Sequence, residues 1–198
     1  MSGTKPIRSE RRSRERGATR ASILQAARRV AAREGARNLS LRGVAAEAGY
    51  APAALYGYFT GKDDLLLALA AEDLASLSRA MREAVKAGNG TGKLAAASAA
   101  ALTLLRDNET MAAAQGALPA TAGGGEAERL FNGRMIAVLK VLSDAAGRPA
   151  DSRESQCDIV LVASALAGLA LLARSGRLSA LGFAPEEILG RLDEHFGR

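Results

Sequence analysis

Side chains able to grip a phosphate or read a base edge crowd the stretch from Arg8 to Lys62 of this 198-residue chain. Ser40 stands immediately before an apolar-periodic segment, where a serine offers both its hydroxyl and the N–H groups of a helix N-terminus to an anion. Tyr56 and Tyr58 carry phenolic hydroxyls of the kind that reach a sugar–phosphate backbone, and Lys62 adds a cation. Arg42 can pair with guanine O6 and N7, follow a phosphate, or remain a solvated charge. Ala53 or Ala54 can touch a thymine methyl, and Gly57 lies on or near the same groove-facing side, where its missing side chain removes a potential contact. Upstream, Arg8, Arg11, Arg12, Arg14 and Arg16 can follow phosphates or enter a minor groove.

The charge distribution agrees with a polyanionic partner. Residues 1–50 hold 12 Lys/Arg against 4 Asp/Glu, whereas residues 51–198 hold 15 against 17. The basic excess therefore lies at the N-terminal end, where it can release counterions condensed on a nucleic acid. Parts for catalysis are missing. His195 is the one histidine and Cys157 the one cysteine, and neither has a sequence-near partner for acid–base, thiol or zinc chemistry. Gly88-Asn89-Gly90-Thr91-Gly92-Lys93 imitates a phosphate loop, but Ala87 precedes it, Leu94 replaces the Ser/Thr, and a helix rather than a strand leads into it. The expectation is a protein that is not an enzyme and has neither cofactor nor metal. Asn89-Gly90-Thr91 also matches a glycosylation acceptor, without a secretory leader to give that meaning.

These side chains must be positioned by helices. Alanine and leucine dominate and prolines number 5, which favours an all-α protein. Residues 1–17 lack apolar periodicity and read as a flexible basic arm. From the N-cap candidate Thr19, the residues Ile23, Ala26, Ala27, Val30 and Ala31 form one helical stripe that Gly35 ends. Ser40 opens a second helix bearing Leu41, Val44, Ala45 and Ala48, and Gly49 stops it. After Gly49, Tyr50 and Ala51, Pro52 opens a third helix through Leu55 to Phe59. A supporting helix and two short ones joined by a tight glycine turn make a helix-turn-helix over 18–66, with its recognition helix at 52–59. A long helix from Lys62 leads into a helical body, 67–198, with further helices at Lys93–Asp107, Glu126–Ala146, Ser152–Ser175 and Pro185–Phe196.

The stretch Arg20 to Leu69 resembles the DNA-binding head of the tetracycline-repressor (TetR) family of bacterial regulators. The match lies in Ile23, Ala26 and Ala27, in Gly35, Ser40, Val44 and Ala45, in Ala48-Gly49, then in Leu55-Tyr56, Phe59, Lys62 and Leu65-Leu66, about a quarter of the chain. The resemblance implies that Ser40, Tyr56, Tyr58 and Lys62 contact the DNA backbone, with specificity left to Arg42, Ala53, Ala54 and Gly57. Tyr56 can alternatively pack the head. Two residues depart from the family: Ala51 stands where a Ser or Thr cap is common, and Gly57 where a larger side chain is common.

For the body, the resemblance implies a homodimer through the last two long helices and a cavity for a small-molecule effector that releases a repressor from a pseudo-palindromic operator. Ala165, Ala167, Gly168 and Ala170 suit close helix approach, and Ile188, Leu189, Leu192 and Phe196 supply a stripe on the final helix. Candidate lining residues are Leu105, Met111, Phe131, Arg134 and Met135, each of which also reads as ordinary core, except Arg134, which reads as surface or as a partner for an anion. The uncharged run Ile159–Ala173 spans 15 residues, short of the roughly 18–20 that cross a bilayer, and reads as a buried helix. A cytoplasmic protein without a membrane partner is expected. A DNA-binding regulator that is constitutive or controlled by a protein partner fits the same residues.

Overall fold

The computed structural model of the chain describes residues 5–88, 92–106, 108, 110, 125–148 and 152–197. Met111 and the Asn89-Gly90-Thr91 segment fall outside them. The described residues form α1 (Lys5–Glu34), a 3-10 turn (Ala36–Asn38), α2 (Leu41–Ala48), α3 (Pro52–Leu55), α4 (Lys62–Ala87), α5 (Lys93–Arg106), α6 (Glu126–Ala145), α7 (Arg153–Arg174), α8 (Arg177–Ala180) and α9 (Pro185–Phe196). The all-α expectation holds. The chain divides into two compact units, with boundaries within α4, between Leu69 and Ala70, and within α6. Residues 126–128 group with the N-terminal unit and Arg129 onward with the C-terminal one.

In the N-terminal unit α1 packs on α2, and α2 on α3. Ile23, Ala26, Ala27 and Val30 of the expected stripe are buried, together with Val44, Ala45, Leu55, Phe59, Leu65 and Leu69. Removing the ring of Phe59, which is 1% exposed, would cost roughly 3–5 kcal/mol.

The beginning of α1 corrects the sequence expectation. Residues 5–17 are not an irregular arm but the first turns of one helix running to Glu34, and Thr19 does not cap it. Instead, the Thr19 hydroxyl donates to the Glu15 carbonyl at 3.0 Å, a bond made inside a helix. Arginine is a good helix former, and opposite charges at helical spacing add to it: Arg11 meets Glu15 at 2.8 Å and Arg14 meets Glu10 at 3.6 Å. An apolar stripe is thus not the sole source of order there.

In the C-terminal unit α5 packs on α7 and α9. The buried residues Leu94, Ala97, Ala101 and Leu102 on α5 meet the demand set by Ile159, Val162, Leu166, Leu169 and Ala170 on α7. Ser152 caps α7 by accepting from the Ser155 N–H at 3.3 Å. The start of α5 is capped from far away, because a carboxylate oxygen of Asp193 in α9 accepts the Ala95 N–H at 3.0 Å. Arg148 ion-pairs with Asp158 and donates to the Phe196 carbonyl at 3.0 Å, tying the end of α9 to the α6–α7 link.

Two body expectations change. The last helix does carry the Ile188, Leu189, Leu192 and Phe196 stripe, yet Leu189 is buried and the other three are half-buried within the single chain. The helix Arg153–Arg174, expected to be buried, leaves Val160, Leu161 and Leu171 more than half exposed. Its length and apolar character would suffice to cross a membrane, and 28% of its most apolar window is buried. Apolar periodicity shows which residues share a face, and part of this face is not covered by the chain itself.

Candidate nucleic-acid interface

The interface is built on two helix ends and the turn between them. Ser40 has the extended backbone of an N-cap, and its hydroxyl oxygen accepts the Gly43 N–H at 3.1 Å. That leaves the hydroxyl proton for an outside acceptor, beside N–H groups that a helix N-terminus cannot satisfy internally. The dipole of α2 adds positive potential at the same place.

α2 ends in a Schellman motif. The Tyr50 N–H reaches the Ala45 carbonyl at 2.9 Å and the Gly49 N–H the Ala46 carbonyl at 3.3 Å, with Gly49 left-handed at φ 74°. A residue with a Cβ would be strained at this φ, so Gly49 sets the angle at which the next helix leaves. Pro52 then occupies the first turn of α3, whose N-cap Ala51 makes no side-chain bond. The recognition helix is shorter than the 52–59 expected. Regular helix covers Pro52–Leu55, and the chain continues as a turn through Tyr58 in which the N–H groups of Tyr58 and Phe59 both meet the Leu55 carbonyl at 2.9 Å. Gly57, with its high conformational freedom, is a poor residue for extending a helix.

Leu55 and Phe59 point inward, as the sequence implied, which turns the intervening residues out. Ala53, Ala54 and Gly57 are exposed, and Tyr56 is 63% exposed, so Tyr56 does not pack the head. Arg42 is exposed on the first turn of α2, and Tyr58 is half-buried. Lys62, half-buried at the start of α4, donates to the Arg37 carbonyl. This bond ties α4 to the 3-10 turn and leaves two ammonium protons for a phosphate. Asp64 accepts the Thr60 N–H at 2.9 Å and completes that helix start.

Four arginines of α1 bear on this assembly. Arg29 and Arg33 approach Glu47 of α2 at 2.7 and 3.2 Å. The Arg29 bond, followed by that of Arg33, holds the Glu47 carboxyl below the ordinary carboxylate range. Glu34 and then Glu47 hold the Arg33 guanidinium in its charged form more firmly still. Arg16 reaches the Gly57 carbonyl at 2.6 Å and lies 5.0 Å from the centroid of the Tyr58 ring, while Arg20 lies 5.1 Å from that of Phe59. The Arg16 and Arg20 contacts escaped the sequence reading. Their signal was the continuation of the Ile23 and Ala27 stripe backwards, by helical steps, to Arg20 and Arg16.

The candidate ligand residues are differently placed. Leu105 on α5 and Met135 on α6 are half-buried, Phe131 is buried, and Arg134 is exposed. None lines either of two open recesses in this unit, one of about 700 Å³ between α6 and α7 and one of about 430 Å³ involving α4, α5 and α6. Among the described residues no group of three His, Cys, Asp or Glu side chains could hold a metal.

A tri-helical head that exposes polar and small residues around a glycine turn, followed by a helical body, defines a helix-turn-helix DNA-binding protein. Residues 23–69 match the sequence model of the N-terminal region of bacterial regulatory proteins of the tetR family. That match covers the head, about a quarter of the chain, and agrees with the resemblance drawn from its residues. No curated protein sequence matches it significantly. Solved structures share its fold. A TetR transcriptional regulator from Rhodococcus sp. RHA1 is 22% identical, covering 92% of this chain and 97% of its own, with a TM-score of 0.67. A TetR-family regulator from Streptomyces coelicolor is 19% identical, covering 91% and 94%, with a TM-score of 0.62. FadR from Bacillus subtilis, solved in complex with stearoyl-CoA, is 19% identical, covering 88% and 95%, with a TM-score of 0.59.

Proposed function

We propose that this regulator is a repressor that occupies a pseudo-palindromic operator as a homodimer and leaves it when a small molecule enters the helical body. The observation that carries the DNA half is the outward set of Ser40, Arg42, Ala53, Ala54 and Tyr56 on α2, α3 and the turn that follows, over inward Leu55 and Phe59. Ser40, Tyr56, Tyr58 and Lys62 are assigned to phosphates, and Arg42, Ala53, Ala54 and Gly57 to base edges.

The dimer is assigned mainly to α7, with α9 beside it. Val160, Leu161 and Leu171 are 52%, 58% and 55% exposed, and leaving several such side chains in water is costly at about 25 cal/mol per Å². Exposed Ser164, Ala165, Ala167 and Gly168 are small enough to let a second copy of the helix approach closely. Two-fold pairing would place two heads on half-sites ~34 Å apart.

A fold neighbour solved in complex with stearoyl-CoA, an amphipathic thioester, supports a body able to admit a small molecule. Leu105, Phe131 and Met135 are the side chains proposed to line its site. Release would follow if the effector bound the DNA-incompetent spacing of the heads more tightly than the competent one.

The test is selection from random-sequence duplex DNA at two salt concentrations, followed by challenge of the recovered complex with candidate effectors. A two-fold-symmetric motif that an effector releases is the expected result. Binding that is salt-sensitive but sequence-independent would overturn the specific-regulator reading, and a symmetric motif that no effector releases would overturn the ligand-gated part.

A further inference from the structure

We infer that Arg16 is a positioning residue for the recognition element, which sets DNA sequence preference through the Gly57 carbonyl without itself touching a phosphate. The inference rests on the DNA-binding reading above and goes beyond it, because it takes one arginine out of the basic arm and gives it a different task.

The recognition element is weakly held by its own chain. Regular helix covers Pro52–Leu55, Ala51 gives it no side-chain cap, and the following turn contains Gly57. A carbonyl in a turn outside a regular helix or sheet needs a donor from elsewhere in the structure or from water. The Gly57 carbonyl finds one 41 residues upstream, in the Arg16 guanidinium at 2.6 Å. A cationic donor makes this a charge-assisted hydrogen bond, stronger than one between neutral groups.

The same guanidinium lies 5.0 Å from the Tyr58 ring centroid, and Arg20, one turn further along α1, lies 5.1 Å from that of Phe59. Two planar cations at helical spacing therefore brace consecutive aromatic residues of the turn. Phe59 is anchored in the core at 1% exposure, so the Arg16 contacts act on the part of the turn that the core does not hold. That part includes Gly57 and adjoins Tyr56, whose side chain is exposed. A guanidinium committed to a carbonyl and a ring has less to offer a phosphate, which separates Arg16 from a simple counterion-releasing arm.

The test compares wild type, Arg16→Ala and Arg16→Lys on the selected operator and on random duplex, each across a salt series, with a thermal melt as control. For Arg16→Ala the ratio of specific to non-specific affinity falls about tenfold, the weight of one charge-assisted hydrogen bond. The salt slope on random duplex stays at the wild-type value. Arg16→Lys, which keeps a cationic donor, recovers part of the ratio. Equal losses on both DNAs with a slope reduced by about 0.9 would make Arg16 a phosphate contact and overturn the inference. So would an unchanged ratio, or a loss of ratio explained by a lowered melting temperature that Arg16→Lys shares in full. Failure of the wild type itself to prefer any sequence would instead remove the DNA-binding reading on which the inference stands.

Discussion

The Asp193 carboxylate accepts the backbone N–H of Ala95 at 3.0 Å, so that α9 caps the N-terminus of α5 across 98 positions of sequence. Gly92 permits it, because a Cβ there would collide with the Asp193 carboxylate. Asp193→Ala removes the cap and Gly92→Ala displaces it, each at about 1 kcal/mol, the usual weight of an N-cap. The melting temperature should fall by ~2–4 °C for either substitution in a chain of this size. Because both act on one bond, the double variant should lose little more than a single one. Additive losses in a thermal melt followed by circular dichroism would show that the two residues act separately.

Lys62 and Arg42 should separate in their effects on DNA. Lys62→Ala weakens binding on every duplex alike and lowers the salt slope by about 0.9 per head, as expected when one phosphate contact is lost. Arg42→Ala, if the guanidinium reads guanine, relaxes preference at one operator position by ~1–3 kcal/mol. Titration of a set of single-base operator variants checks both; uniform weakening by Arg42→Ala would place that residue on a phosphate.

Acid should loosen the contact between α1 and α2. Glu47 is held below the ordinary carboxylate range, first by Arg29 and then by Arg33. A depressed carboxyl pKa contributes stability that is present above the unfolded-state value and lost as pH falls through the folded-state value. Melts between pH 7 and pH 3 should therefore show a component of acid destabilisation that Glu47→Gln abolishes. The component should shrink in high salt, because these pairs are exposed to solvent. An acid profile identical in wild type and Glu47→Gln would remove Glu47 from the effect.

Charge placed on the open face of α7 should separate the protomers. Leu161, 58% exposed, changed to Glu should shift sedimentation from dimer to monomer and weaken operator binding. Helical content should stay near wild type, since the side chain is not part of the chain's own core. A dimer of unchanged affinity in Leu161→Glu would move the interface to another surface.

Much of the head is legible in the sequence alone. Ser40 at an N-cap, Gly49 at a left-handed helix end and Pro52 in a first turn are local signals, because each answers a demand made by backbone groups a few residues away. The apolar stripes of α1 and α2 are legible for the same reason: helical period maps directly onto one face. Helix existence in the body follows too, although the four-residue α8 between Gly176 and Leu181 goes unseen, being too short to show a period.

The tertiary structure decided what joins residues far apart. Arg16 on the Gly57 carbonyl, Asp193 on α5 and Arg148 on Asp158 and Phe196 connect positions 41, 98, 10 and 48 apart in sequence. It also decided that the Ile188 and Leu192 stripe turns partly into the chain's own body while Val160 and Leu161 remain outside. Side-chain type and local spacing state what a residue can bond to, and periodicity states which residues share a face. Neither states which distant group arrives there, because that depends on how all the helices pack together.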